Sequence, residues 1–199
     1  MCIRDSFDPL GIADPAKLTL RLLNREIFPR KGEDDPHGIN ALGWYEPIPA
    51  VFDKQWNKML ETYNEIAASD LNIPRPLYPQ GHGSPTHQQL YAFADASDLA
   101  ISYVTYLRTI TDDGKIHVAF IKGNTNVPNK GMSIKGQTSI PRLELNAARN
   151  LAEDVLNIES ELDIPNLHPT VYYTDSLDVL AWIQNELSLI HISEPTRPY

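Results

Sequence analysis

The chain has 199 residues, 42% hydrophobic and 22% charged, with a formal net charge of −9; this is the make-up of one ordinary globular domain, or one domain with a subdomain. A single cysteine, Cys2, excludes an internal disulfide and a cysteine-based metal centre. The charge argues against a basic nucleic-acid-binding surface over the whole chain, but not against an acidic site that holds metal ions, and no apolar run approaches the ~20 residues of a membrane helix.

The ends read as foreign. "MCIRDS" at 1–6 and "LIHISEPTRPY" at 189–199 are similar to translated sequencing-adapter strings, and both are set aside from the fold. The expectation is a natural chain that continues in both directions. No apolar core follows "MCIRDS", so it is no signal peptide.

Residues 7–80 read as a helical connecting segment. From Lys17 the apolar residues Leu18, Leu22, Leu23 and Ile27 fall at helical spacing. Residues 31–49, rich in Asp, Gly and Pro, read as a loop. A second helix is expected from Ala50 to Ala68, with Val51, Phe52, Trp56, Met59, Leu60, Tyr63 and Ile66 as a stripe packed into the core. The proline- and glycine-rich stretch 73–89 marks a boundary.

Beyond it, residues 90–96, 99–110 and 115–122 alternate like strands. Asp113-Gly114 accepts the positive φ of a hairpin turn, so the three read as an antiparallel meander. Residues 124–139 read as a loop. Residues 140–162 read as a helix with Pro141 in its first turn. Its stripe is Leu143, Ala147, Ala148, Leu151, Ala152, Val155 and Leu156, with Glu153 and Asp154 on the solvated side. A fourth strand is expected at 169–174 and a helix at 176–187, with Tyr172, Tyr173 and Trp182 in the core. Three antiparallel strands, a crossover helix and a fourth strand parallel to one of the three make an α/β fold with a mixed sheet, placed at 88–187.

Three carboxylates stand out. In "LYAFADAS", Tyr91, Phe93 and Asp95 share one side of a strand and Leu90, Ala92, Ala94 and Ala96 the other. Asp95 then ends the strand as a turn starter or as a placed functional group. Asp175 repeats the pattern in "VYYTDS", where the plain alternative is a helix N-cap. Glu144, early in the intervening helix, has a plain alternative as a partner of the helix dipole. Three such groups at one sheet edge would repel one another unless a divalent cation lay between them, and hard oxygen donors suit Mg2+ or Mn2+.

"FADAS", "SIPRLELNAAR" and "VYYTDSLDVLAWI" resemble the ribonuclease H domain of BEL/Pao-type retrotransposon polyproteins, and "FDPLG" with its helical sequel resembles the stretch that links the reverse transcriptase to it. The resemblance covers residues 7–187. It implies a ribonuclease H-like mixed sheet and hydrolysis of RNA in RNA–DNA hybrids. It implies Asp95, Glu144 and Asp175 as catalytic carboxylates and as ligands of Mg2+ or Mn2+, with Asp95 bridging two metals. The implied partners are the hybrid and the remainder of the reverse transcriptase polyprotein, with no membrane, in the cytoplasm within a virus-like particle. The resembling fold continues with a fifth strand and a helix that brings a fourth acidic residue. Asp178 does not replace that residue, so the expectation is that this piece is inactive. Arg142, Lys130 and Lys135 are candidates for phosphate contact, and no histidine pair among His82, His87, His117 and His168 has ligand spacing.

Two other classes compete. Segments resembling this one are also classed as a Pao retrotransposon peptidase, in which Asp95 and Asp175 would share a proton; yet no Gly follows either Asp, and long helices are foreign to a barrel peptidase. A non-catalytic connection or scaffold module of a reverse transcriptase would need no metal at the three acids.

Overall fold

A computed structural model describes residues 8, 10–28, 35, 37–38, 45–69, 76–78, 81, 83–128, 133–134 and 137–184, with backbone alone at 133–134 and 137–138. The two terminal segments read as foreign, most of the 31–49 loop, His82, Lys130, Lys135 and the end of the last expected helix lie outside them.

Alternation drives the sheet. In β1 (Pro85–Ala96), Leu90, Ala92, Ala94 and Ala96 are buried while Tyr91, Phe93 and Asp95 point to the other face. β2 (Ile101–Thr111) and β3 (Ile116–Asn126) complete the meander. The hairpin between them turns at Gly114, whose φ of +76° is open to glycine without strain. β6 (His168–Tyr173) lies parallel to β1 at the sheet edge, in the order β3-β2-β1-β6. The expected three antiparallel strands with a fourth parallel strand are therefore present. The expected loop at 124–139 is shorter than read: β3 runs on to Asn126, and β4 (Ser133–Ile134) pairs with β5 (Gln137–Thr138) as a small hairpin.

The crossover is α3 (Ile140–Leu162), which lays Leu143, Ala147, Leu151 and Val155 on Leu90, Ala92 and Leu107. Each fully buried leucine there contributes about 1.5–3 kcal/mol. Two expectations for this helix are corrected. Leu156, assigned to the stripe, is exposed. Asp154, assigned to solvent, is only 8% exposed and pairs with Lys122 of β3. A bulge causes this: Thr105 pairs with Lys122 and Tyr106 with Phe120, so Ile121 is an extra residue. The bulge brings Lys122 into line with buried Thr105 under α3.

The N-terminal segment docks on the same sheet. α1 (Asp14–Ile27) lies against β3, and α2 (Asp53–Ala68), entered through a short 3-10 turn at Ala50–Phe52, packs on α1. Leu23, Ile27, Phe52 and Met59 form this second small core. Tyr63 packs half-buried against it, but Val51, Trp56, Leu60 and Ile66 of the expected α2 stripe are exposed, because α1 covers only one edge of the helix. Buried Asp14 fastens α1 to β3, accepting the Thr125 N–H at 2.8 Å and holding Arg21 at 3.2 Å. Arg21 in turn donates to the Thr125 carbonyl. The Gly123 N–H donates to the Leu10 carbonyl at 2.8 Å. That close approach requires Gly11, which has φ +70° and where a Cβ would fall 1.8 Å from the Gly123 oxygen.

Asp8 caps the turn into α1 through the amides of Ile12 and Ala13 and binds Lys17 at 2.9 Å. Burial alone would push its carboxyl up, but Lys17 and those two amides outweigh burial and hold it below the usual range. No helix among the described residues is long and apolar enough to cross a membrane.

Candidate functional site

β1 and β6 are parallel neighbours, so their C-terminal ends emerge together. Phe93 pairs in register with Tyr173, and two residues beyond each lies a carboxylate, Asp95 on one strand and Asp175 past the other. Both carboxylates line a single cleft of about 850 Å³. Its floor is aromatic: Phe93, Tyr106, Phe120 and Tyr173. Its far wall is the start of α1, with Ile12 and Leu18.

The plain alternatives for the two aspartates are already filled by serines. At the end of β1 the turn is made by Ser97, whose Oγ accepts from the amides of Leu99 and Ala100 at 3.3 and 3.2 Å. At the start of α4 (Leu177–Gln184) the cap is Ser176, whose Oγ accepts the Val179 N–H at 3.3 Å. Asp95 and Asp175 are exposed, and among the described residues neither carboxylate has a hydrogen-bond or ion-pair partner. Both are presented rather than used for local structure.

Glu144 is placed differently. It is the fifth residue of α3, and no acidic residue occupies that helix's first turn, so the dipole alternative loses its footing. Its side chain is half-buried and does not line the cleft. A divalent cation needs several oxygen donors gathered around one point. Among the described residues no three His, Cys, Asp or Glu side chains gather in that way. The three carboxylates as they stand do not form a set that fits a metal ion. Two of them share the cleft and the third stands apart.

Of the phosphate-contact candidates, Arg142 is half-buried in the first turn of α3, away from the cleft lining. Asp178 is exposed in the first turn of α4.

The aromatic residues overturn an expectation. Tyr172 and Tyr173 are 49% and 44% exposed rather than in the core, and Phe93 is 38% exposed. Phe93 and Tyr173 face away from α3, where no helix among the described residues lies over them, whereas Tyr172 pairs with buried Ala92 on the α3 side and is exposed because β6 is the edge strand. Phe93 and Tyr173 stack at 4.8 Å with 10° between planes, and Tyr91 continues the stack on Tyr173 at 6.2 Å and 14°. At the other end of the same two strands the rings of His87 and His168 lie 3.9 Å apart, a pairing that spacing along the chain does not reveal.

Under α3, Tyr103 has its hydroxyl pKa raised by burial, with the Asp154 carboxylate adding to the effect. The Asn124 side-chain amide donates to its oxygen at 3.1 Å.

The chain matches the family model described as "Pao retrotransposon-like RNaseH-like domain" over residues 2–176. No curated protein and no solved structure matches it significantly.

Proposed function

The chain belongs to the Pao retrotransposon-like RNaseH-like domain family, and on that premise we propose that it is the hybrid-handling part of a retrotransposon polyprotein, with Asp95 and Asp175 at the centre of its site. The activity that this pair would serve is hydrolysis of the RNA strand in an RNA–DNA hybrid. One observation carries the reading. Two carboxylates with no partner among the described residues end adjacent parallel strands and face one cleft, while Ser97 and Ser176 take over the local duties that would otherwise explain them. An aspartate pair released from structural work is a chemical group in waiting.

Mg2+ or Mn2+ is the cofactor that such hard oxygen donors call for. The donors among the described residues do not complete a site for it, and Glu144 does not reach the cleft lining. That incomplete donor set favours a second reading, in which the domain positions the hybrid for the reverse transcriptase and does not cut it. The peptidase alternative draws no support. Neither Asp is followed by Gly, and both lie at the ends of strands in an open mixed sheet, not in a barrel.

The test is cleavage of labelled RNA in a hybrid, with Mg2+ or Mn2+ supplied, by the chain and by Asp95→Asn and Asp175→Asn. Hydrolysis lost in both variants supports the catalytic reading. Hybrid binding without cleavage leaves the positioning reading, and no hybrid binding at all sinks both.

A further inference from the structure

The sheet face opposite α3 has an order along the strands. At the C-terminal ends of β1 and β6 it carries Asp95 and Asp175. In the middle it carries aromatic rings. Besides the parallel stack of Phe93, Tyr173 and Tyr91, Tyr106 sits edge-on to Phe93 at 6.2 Å and to Phe120 at 5.9 Å. At the opposite end it carries Arg108, which pairs in register with Gln89, and the His87–His168 pair. Helix α3 buries the other face, while Phe93 and Tyr173 stand half-exposed here, with Val118 exposed beside Arg108 on β3.

We propose that this face binds a single nucleic-acid strand, with bases stacked on Phe93, Tyr173 and Tyr91 and the backbone phosphates at the Arg108 and His87–His168 end. The proposal rests on the reading that the chain handles nucleic acid, and it adds the strand type and the contacts. Three features select this occupant. Near-parallel, partly exposed rings offer a π-face that any base can extend, which is how aromatic sheet surfaces bind unpaired strands. The cationic and imidazole groups lie together at one end, where phosphates would be welcome. The carboxylates lie at the other end, where phosphates are repelled, so the strand has a preferred direction of approach. A long hybrid would lie on phosphate contacts, whereas stacking needs unpaired bases. The favoured substrate is therefore a frayed end or an overhang leading to the acidic pair.

Binding of a labelled twelve-nucleotide oligo(dT) or oligo(rU) is to be read by fluorescence anisotropy in EDTA. Saturable binding is expected. It should weaken about ten- to hundredfold in the Phe93→Ala/Tyr173→Ala double variant. A Phe93→Leu/Tyr173→Leu variant keeps apolar bulk and removes the rings, and should weaken binding similarly while melting close to wild type. Arg108→Gln should lower the slope of log affinity against log salt by about one. No saturable binding, or binding indifferent to ring removal, overturns the proposal. A homodimer in sedimentation that dissociates when the rings are removed overturns it too, by assigning the face to a second copy. Because no metal is present, binding in EDTA together with no cleavage in Mg2+ would sink the hydrolysis and leave this inference standing.

Discussion

The two faces of one sheet obey different rules. Beneath α3, Leu90, Leu107, Leu143 and Leu151 are closed from solvent, and the polar groups among them include the Lys122–Asp154 pair, the Thr109 hydroxyl that accepts from Gln88, and two atoms with no partner among the described residues, Thr105 Oγ1 and Asp154 Oδ2. On the opposite face Phe93 and Tyr173 stay half in solvent, stacked on each other beside two carboxylates that have no partner among the described residues. One face holds the domain together. The other spends apolar and charged groups where they add little to folding, which is what a binding face looks like.

The sharpest way to break that contrast is a pair of truncations. Leu151→Ala should lose about 2–5 kcal/mol of unfolding free energy, the cost of a cavity in a closed core. Phe93→Ala should lose only about 1 kcal/mol, since it gives up one exposed aromatic pair. Urea titrations of both check this, and equal losses would erase the distinction between the faces.

The next effect is ionic. Asp154→Ala should lose about 2 kcal/mol, because it strips the charge partner from Lys122 at a mostly closed site. Pairing it with Lys122→Met should recover much of that loss in thermal melts, since an apolar pair suits the seam under α3. Failure to recover would mean that the ion pair does more than fill the seam.

A smaller effect comes from the serine at the second carboxylate. Ser176→Ala should lose about 1 kcal/mol by uncapping α4, while Asp175→Asn should leave the melting temperature nearly unchanged. The reverse ranking would mean that Asp175 is structural after all.

The smallest effect is in acid. Lys115 and the Thr111 hydroxyl hold the exposed Asp113 carboxyl at about 2 in the folded chain, below its ordinary 3.8. A depressed carboxylate adds stability above its unfolded value and loses it as pH falls through the folded one. Wild type should therefore melt above Asp113→Asn at neutral pH, and the two should converge between pH ~4 and ~2. Parallel melting curves across that window would remove the turn from the account.

Where interactions are short-range, the sequence could be read. Period-2 alternation placed Leu90, Ala92, Ala94 and Ala96 on the buried side of β1, Asp113-Gly114 marked the hairpin, and α3 begins and ends where its pattern does. Where placement depends on a distant partner, reading failed. Asp154 looked solvated because its partner Lys122 is 32 residues away and reaches it only through the bulge at Ile121. Tyr173 looked like core because no periodicity says whether a sheet is covered on one face or two, and Tyr172 because none says that its strand lies at the sheet edge. At the site, Asp95 and Asp175 were legible as a repeated strand-then-carboxylate pattern. That they share a cleft and Glu144 does not is a fact of helix placement, which spacing along the chain does not encode.

Asp14 decides how the cleft behaves as a machine part. Its carboxylate is closed from solvent and tied to the Thr125 amide, and Gly11 seats the chain directly on the Gly123 backbone. The α1 wall is thereby bolted to the same sheet that forms the floor. To widen the mouth, α1 would have to tear a buried carboxylate from its amide, so the cleft works as a rigid slot of set width rather than as a jaw. Whatever enters it must fit on arrival, and selection there acts by shape before any chemistry begins.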